Sequence, residues 1–150
     1  MDTGDRHCEE RLSRMTDFYI TLKNSDSVRF FPANKPSHFR VKLHERLKLG
    51  VNWKVALCEI HTTERIPVPV YACSNLTSSY IAGGSLTPAL RYIPGTSGHA
   101  VNNHVFDTPY YISIDGHEYD TIEIYITDEL FNNTSLMTKH LTCTLHFKQV

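Results

Sequence analysis

From Asp17 to Phe147 the chain returns again and again to one pattern, apolar and polar residues alternating at period two. Tyr119-Asp-Thr-Ile-Glu-Ile-Tyr-Ile126 and Leu141-Thr-Cys-Thr-Leu-His-Phe147 are its clearest stretches. Successive side chains of a strand point to opposite faces, so such a run buries one face and wets the other. A helix would need apolar residues at a spacing of three to four, and little of the chain offers it. The pattern restricts the fold to the all-β class. Turn signals at short intervals restrict it further, to eight or nine strands in a two-sheet sandwich.

Along the chain, Phe18–Leu22 places Phe18, Ile20 and Leu22 on one face, and a turn cluster follows at Asn24–Ser27. Val28–Phe31 reads as a short second run ended by Pro32 and Pro36. His38–Leu43 turns Phe39, Val41 and Leu43 inward and Arg40 and Lys42 outward. Leu47 and Leu49 keep that phase, which extends the strand or adds a bulge. Trp53–Ile60 is apolar on both faces, with Trp53, Val55 and Leu57 on one side and Ala56, Cys58 and Ile60 on the other. This marks a central strand. Two prolines set the start of Pro67–Cys73 at an edge. Gly83-Gly84 is a loop, and Ala89–Ile93 is a strand closed by Pro94-Gly95. A loop runs from Gly95 to Asn103. His104–Ile114 is then a strand that turns at Asp115-Gly116. A polar loop, Asp128–His140, has room for one turn of helix.

With 150 residues, one domain is expected at 17–150, preceded by a charged, apolar-poor arm at 1–16 that reads as mobile. The net charge of −1 excludes a global field drawing the chain to nucleic acid or acidic lipid, and nothing points to recognition of a nucleic-acid sequence. No apolar run is long enough to span a bilayer, and the first residues lack the apolar core of a signal peptide, so an intracellular site of synthesis is expected. Cys8, Cys58, Cys73 and Cys143 lack CxxC spacing and read as free, mostly buried thiols. The nine histidines contain no His-x-His, and His38, His44, His104, His140 and His146 fall on polar strand positions. His146 should face away from the side that Leu145 and Phe147 share. No nucleophile elbow, phosphate loop or zinc-protease motif occurs. No catalytic residue, cofactor or metal is therefore assigned, and the chain is not expected to be an enzyme.

Taken in order, Asp17–Leu22, Ser37–Leu43, Trp53–Ile60, Val70–Cys73 with Pro88–Ile93, Pro109–Ile114, Tyr119–Ile124 and Thr144–Phe147 resemble the minor capsid (penton) proteins of Polinton/Maverick elements and the related adintoviruses. The likeness spans residues 17–147. The link His61–Ile66 is short beside that family, and the turn at 128–133 has no glycine, which leaves Asn133 to take a left-handed conformation. The resemblance implies a single jelly roll, an antiparallel sandwich of about eight strands. It also implies homopentamers at the fivefold vertices of an icosahedral capsid, in contact with a double-jelly-roll major capsid protein, and hence a location in the virion. Tyr80, Tyr92, Tyr110, Tyr111 and Tyr125 are then the candidate interface aromatics, because tyrosine joins a large apolar area to a hydroxyl that tolerates water. One of the adjacent pair Tyr110 and Tyr111 must point away from the core if the segment is a strand. The alternative is a glycan- or receptor-binding β-sandwich, its ligand held by loops Ile81–Thr87 and Pro94–Asn103.

Overall fold

A computed structural model describes residues 16–95, 103–136 and 138–150. Its elements are β1 (Asp17–Lys23), β2 (His38–Lys48), β3 (Trp53–Thr62), β4 (Val70–Ser74), β5 (Tyr80–Ala82), β6 (Ser85–Thr87), β7 (Ala89–Ile93), β8 (Asn103–Val105), β9 (Ile112–Ser113), β10 (Glu118–Thr127) and β11 (Leu141–Gln149). No helix occurs among the described residues, so none there is long and apolar enough to cross a membrane.

The pairing is nested. β1 pairs with β11, β2 with β10, β3 with β8 and β9, and β4 with β7, all antiparallel. It is the pattern of one long hairpin. Rolling that hairpin adds β11 beside β3 and β10 beside β4. Two sheets result: β1-β11-β3 with β8 and β9 on the far side of β3, and β2-β10-β4-β7. This is a single jelly roll. β5 and β6 form a separate hairpin between β4 and β7.

The alternating residues meet between the sheets. Phe39 and Val41 of β2 and Ile122, Ile124 and Ile126 of β10 pack toward Val55, Leu57 and Ile60 of β3 and Leu145 and Phe147 of β11. Each is at most 7% exposed, and full burial of such a side chain contributes about 1.5–3 kcal/mol. Phe18 of β1 extends the stack, its ring lying 4.9 Å from Phe147 and 5.5 Å from Trp53.

Several expectations change. Leu145 pairs with Leu57 and Thr144 with Glu59, which leaves Cys58 as an extra residue. This β-bulge resets the alternation, so Ile60 joins Leu57 in the core instead of opposing it. Val28–Phe31 is a turn and not a strand, because the amides of Phe30 and Phe31 both donate to the Ser27 carbonyl. The segment covers the open edge of β2. Lys42 N donates to Ser27 Oγ at 2.9 Å, and the Asn34 amide pairs with both N and O of Arg40. A side chain thus replaces a neighbouring strand and blunts the edge. The extension of β2 through Leu47 is present, with an irregularity opposite Tyr119 and Thr121.

His104–Ile114 is two short strands rather than one, separated by a stretch containing Pro109, which has no N–H to donate. Asp115-Gly116 does not close a hairpin, since β9 pairs with β3 and β10 with β2 and β4. Asp115 N donates instead to the Leu76 carbonyl, and Gly116 N to the Tyr119 hydroxyl. The loop after β10 holds no helix among its described residues. Asp128 Oδ1 accepts from the amides of Leu130 and Asn132, and the left-handed residue is Phe131 (φ 63°), not Asn133. Left-handed backbone is costly for a bulky residue. The Phe131 ring lies stacked 4.5 Å from Tyr71, which offsets part of that cost. Cys73 and Cys143 are buried and Cys58 is half-buried, all three as free thiols. The arm apart from Thr16, most of the Gly95–Asn103 loop, and Cys8 lie outside the described residues.

Candidate interaction surface

The β5–β6 hairpin presents paired apolar residues at one rim of the sandwich. Gly83 and Gly84 both have positive φ (58° and 80°), the requirement of a tight two-residue hairpin turn. The turn aligns β5 with β6 so that Ile81 and Leu86 are direct cross-strand partners. Partners in a ladder point to the same side. Here that side is solvent, with Ile81 68% and Leu86 69% exposed.

Tyr110 lies beside the hairpin. Ser79, Tyr80 and Ile81 form one wall, and Tyr110, Tyr111, Ile112 and Ser113 the other, of an open groove of about 420 Å³. Tyr110 and Tyr111 are not in a strand, and both point away from the core. Tyr110 covers the guanidinium of Arg91 at 3.7 Å. Tyr111 reaches the opposite way, its hydroxyl 2.8 Å from His146 Nδ1 and its ring 4.8 Å from Lys148 Nζ. Burial pushes the Tyr80 and Tyr111 hydroxyls above their ordinary pKa, so both remain neutral donors.

Tyr92 belongs to a second cluster. Tyr71, its cross-strand partner, lies 5.1 Å from it and 6.1 Å from Tyr80, so Tyr71 links the groove to the Phe131 turn. Tyr92 donates its hydroxyl to Glu129 Oε1 at 2.8 Å. That bond is the main reason its pKa is raised. Tyr125 stands apart on the outer face of the β2-β10-β4-β7 sheet, tilted against His38. Burial above all pushes its pKa up to about 12. Of the five tyrosines, Tyr80, Tyr110 and Tyr111 line one groove, Tyr92 adjoins it through Tyr71, and Tyr125 does not take part.

His146 faces away from Leu145 and Phe147, yet it is buried. Tyr19 stacks on it at 4.2 Å, and Nε2 lies 2.9 Å from Asp17 Oδ2. With Nε2–H donating to the carboxylate, Nδ1 accepts from Tyr111. The set resembles a catalytic relay in outline, but its terminal hydroxyl is a phenol held protonated. What it does is fix β1, β11 and Tyr111 together. His104 Nε2 is buried without a hydrogen-bond partner, and burial lowers its pKa, which keeps the ring neutral. Among the described residues no three His, Cys, Asp or Glu side chains group to hold a metal ion.

Gly83-Gly84 alone marks only a loop. A stronger signal was present: Gly83-Gly84 between Tyr80-Ile-Ala and Ser-Leu-Thr87 is a two-residue turn flanked by strand formers. Neither a scan of protein-family models nor a search of curated proteins returns a match to this chain.

Proposed function

We propose that this chain is a structural capsid protein of the penton type. Five copies close into a ring at the fivefold vertices of an icosahedral shell and contact a double-jelly-roll major capsid protein, so the protein resides in the virion. The ordered likeness of residues 17–147 to penton proteins supports this reading, and the jelly-roll topology is compatible with it. The observation that carries it is the rim patch. Ile81, Leu86 and Tyr110 together present apolar surface to water, the mark of a surface that another protein covers. Head-to-tail contact of such a patch with a different surface on the next copy makes a ring when the rotation closes. Each contact needs on the order of 800 Å² per partner, and the hairpin supplies its protruding centre.

Light scattering on purified protein over a range of concentrations tests the proposal. A discrete species at five times the monomer mass is expected. A monomer at every concentration, with and without the major capsid protein, overturns it. A second reading has one observation in its favour: Tyr80 and Tyr110 stand at the base of the Ile81–Thr87 loop, where a glycan- or receptor-binding sandwich would hold a ligand. Under that reading the protein stays monomeric, and glycan binding quenches tyrosine fluorescence.

A further inference from the structure

The outer face of β2 carries a basic residue at every alternate position: His38, Arg40, Lys42, His44, Arg46 and Lys48. The residues between them include the buried Phe39, Val41 and Leu47, so the core fixes which way the basic row points. All but the half-buried His38 are exposed. Alternate positions on a strand are about 6.6–6.8 Å apart, which spaces His38, Arg40 and Lys42 evenly; between Lys42 and Leu47 the strand bulges against β10, and the outward alternation resumes through His44, Arg46 and Lys48. Lys35 joins it from the edge-covering loop, lining a pocket with His38 and Arg40. Opposing charge is present but smaller: Glu45 lies half-buried within β2, and Asp120 of β10 lines a pocket with Arg46 and Glu118. Along β10, Glu123 is taken by Arg40 at 2.8 Å and His38 at 3.0 Å, and Glu118 by Arg46 at 3.5 Å. Lys35, Arg40, Lys42, Arg46 and Lys48 still outnumber the three carboxylates Glu118, Asp120 and Glu123 on a chain whose net charge is −1.

An aromatic ring adjoins the row. Phe30 is 61% exposed, and Lys42 Nζ lies 5.6 Å from its centroid. A line of cations beside an exposed ring is the arrangement by which proteins hold single-stranded nucleic acid without reading its sequence, the cations following the phosphates and the ring stacking on a base. A duplex fits less well, because its bases are stacked inside and offer the ring no open face.

We propose that the outer face of β2, with Lys35 and Phe30, is a track for the phosphate backbone of single-stranded nucleic acid. The proposal goes beyond the capsid reading and does not depend on it, since the rim patch is made by other residues.

Fluorescence anisotropy with labelled oligodeoxythymidylate, titrated with salt, tests it. Affinity should fall with rising salt, with a log–log slope near −0.7 per phosphate neutralised, or about −3 overall. The combined substitutions Lys42→Gln, Arg46→Gln and Lys48→Gln should flatten that slope by about two. Phe30→Ala should weaken binding about tenfold and leave the slope unchanged. Lys23→Gln, Lys139→Gln and Lys148→Gln make the same charge change elsewhere and should have little effect. An unchanged thermal transition shows that each variant is folded. The proposal is overturned by absence of binding at low salt, by equal weakening in the control set, by equal affinity for duplex DNA, or by polyglutamate competing as well as the oligonucleotide.

Discussion

Arg91 sits over the ring of Tyr110, its guanidinium carbon 3.7 Å from the centroid, and 4.3 Å from that of Phe106. Its Nη1 also donates to the Thr108 carbonyl at 2.6 Å. One side chain of β7 thus holds the irregular segment between β8 and β9 and sets the aromatic wall of the groove. Cation–π contacts contribute about 0.5–2 kcal/mol each, and a hydrogen bond from a charged group about 1.5–3 kcal/mol. Arg91→Ala should cost about 2 kcal/mol, read as a lower urea midpoint with an unchanged slope. Arg91→Lys should recover less than half of it, because an ammonium is not planar and cannot lie between two rings. A midpoint unchanged in both variants would mean that the stack is incidental.

The same segment marks where sequence stops being informative. Alternation alone identified β1, β10 and β11 and their inward residues, since one buried face imposes a strict period. It misplaced Ile60, because a single extra residue at Cys58 inverts every later position and an alternating stretch does not announce a bulge. It joined β8 to β9 because the role of Arg91 is set by contacts with residues distant in sequence. On β2 alternation turns Arg40 and Lys42 outward, but charges on a strand by themselves suggest only a solvated face. The meaning of the basic row depends on the exposed Phe30 beside it, in a segment that alternation alone marks as a strand. For the tyrosines, the sequence supplied the residue type and the fold supplied the neighbours.

The two buried thiols should be inert. Burial above all pushes Cys73 and Cys143 up to about 12. At pH 8 about one molecule in ten thousand then carries the thiolate that reacts. Alkylation of native protein followed by peptide mapping should label Cys58, which is half-buried, well before either of them. The same shifts fix the alkaline limb of stability. Both pKa values are raised on folding, so the folded state retains protons that the unfolded chain releases. Stability should hold below pH 9 and fall as the pH climbs from there toward 12. Rapid labelling of Cys143 at pH 8 would contradict the assignment.

Glu123 governs the acid side. Burial pushes its carboxyl up, but hydrogen bonds from His38 and Arg40 and their charges pull it further down, and the net pKa lies below the ordinary value. A lowered folded pKa contributes stability above the unfolded value near 4.5, and that contribution is lost as the pH falls through the folded one. Glu123→Gln should cost about 1 kcal/mol at neutral pH, with the difference from the parent closing below pH 4. Thermal unfolding of both proteins across this range checks the sign. A gap that persists at pH 3 would show that the loss is one of packing and not of charge.

The rim patch gives the sharpest separation between stability and assembly. Ile81 and Leu86 touch each other across the hairpin but have little else above them, so polar replacements remove no core packing. Surface substitutions of this kind usually change stability by less than about 0.5 kcal/mol. An interface anchor behaves differently, since truncation at its centre typically costs 2 kcal/mol or more of binding, about thirtyfold per contact. A ring of five multiplies that loss, because every contact carries the same change. Ile81→Ser with Leu86→Ser should therefore leave the urea midpoint in place and shift the light-scattering species from ring to monomer. Tyr125→Ser, on the far outer face, should leave the ring intact. Should the double variant assemble like the parent, the hairpin is not the contact and the ring surface lies elsewhere on the sandwich.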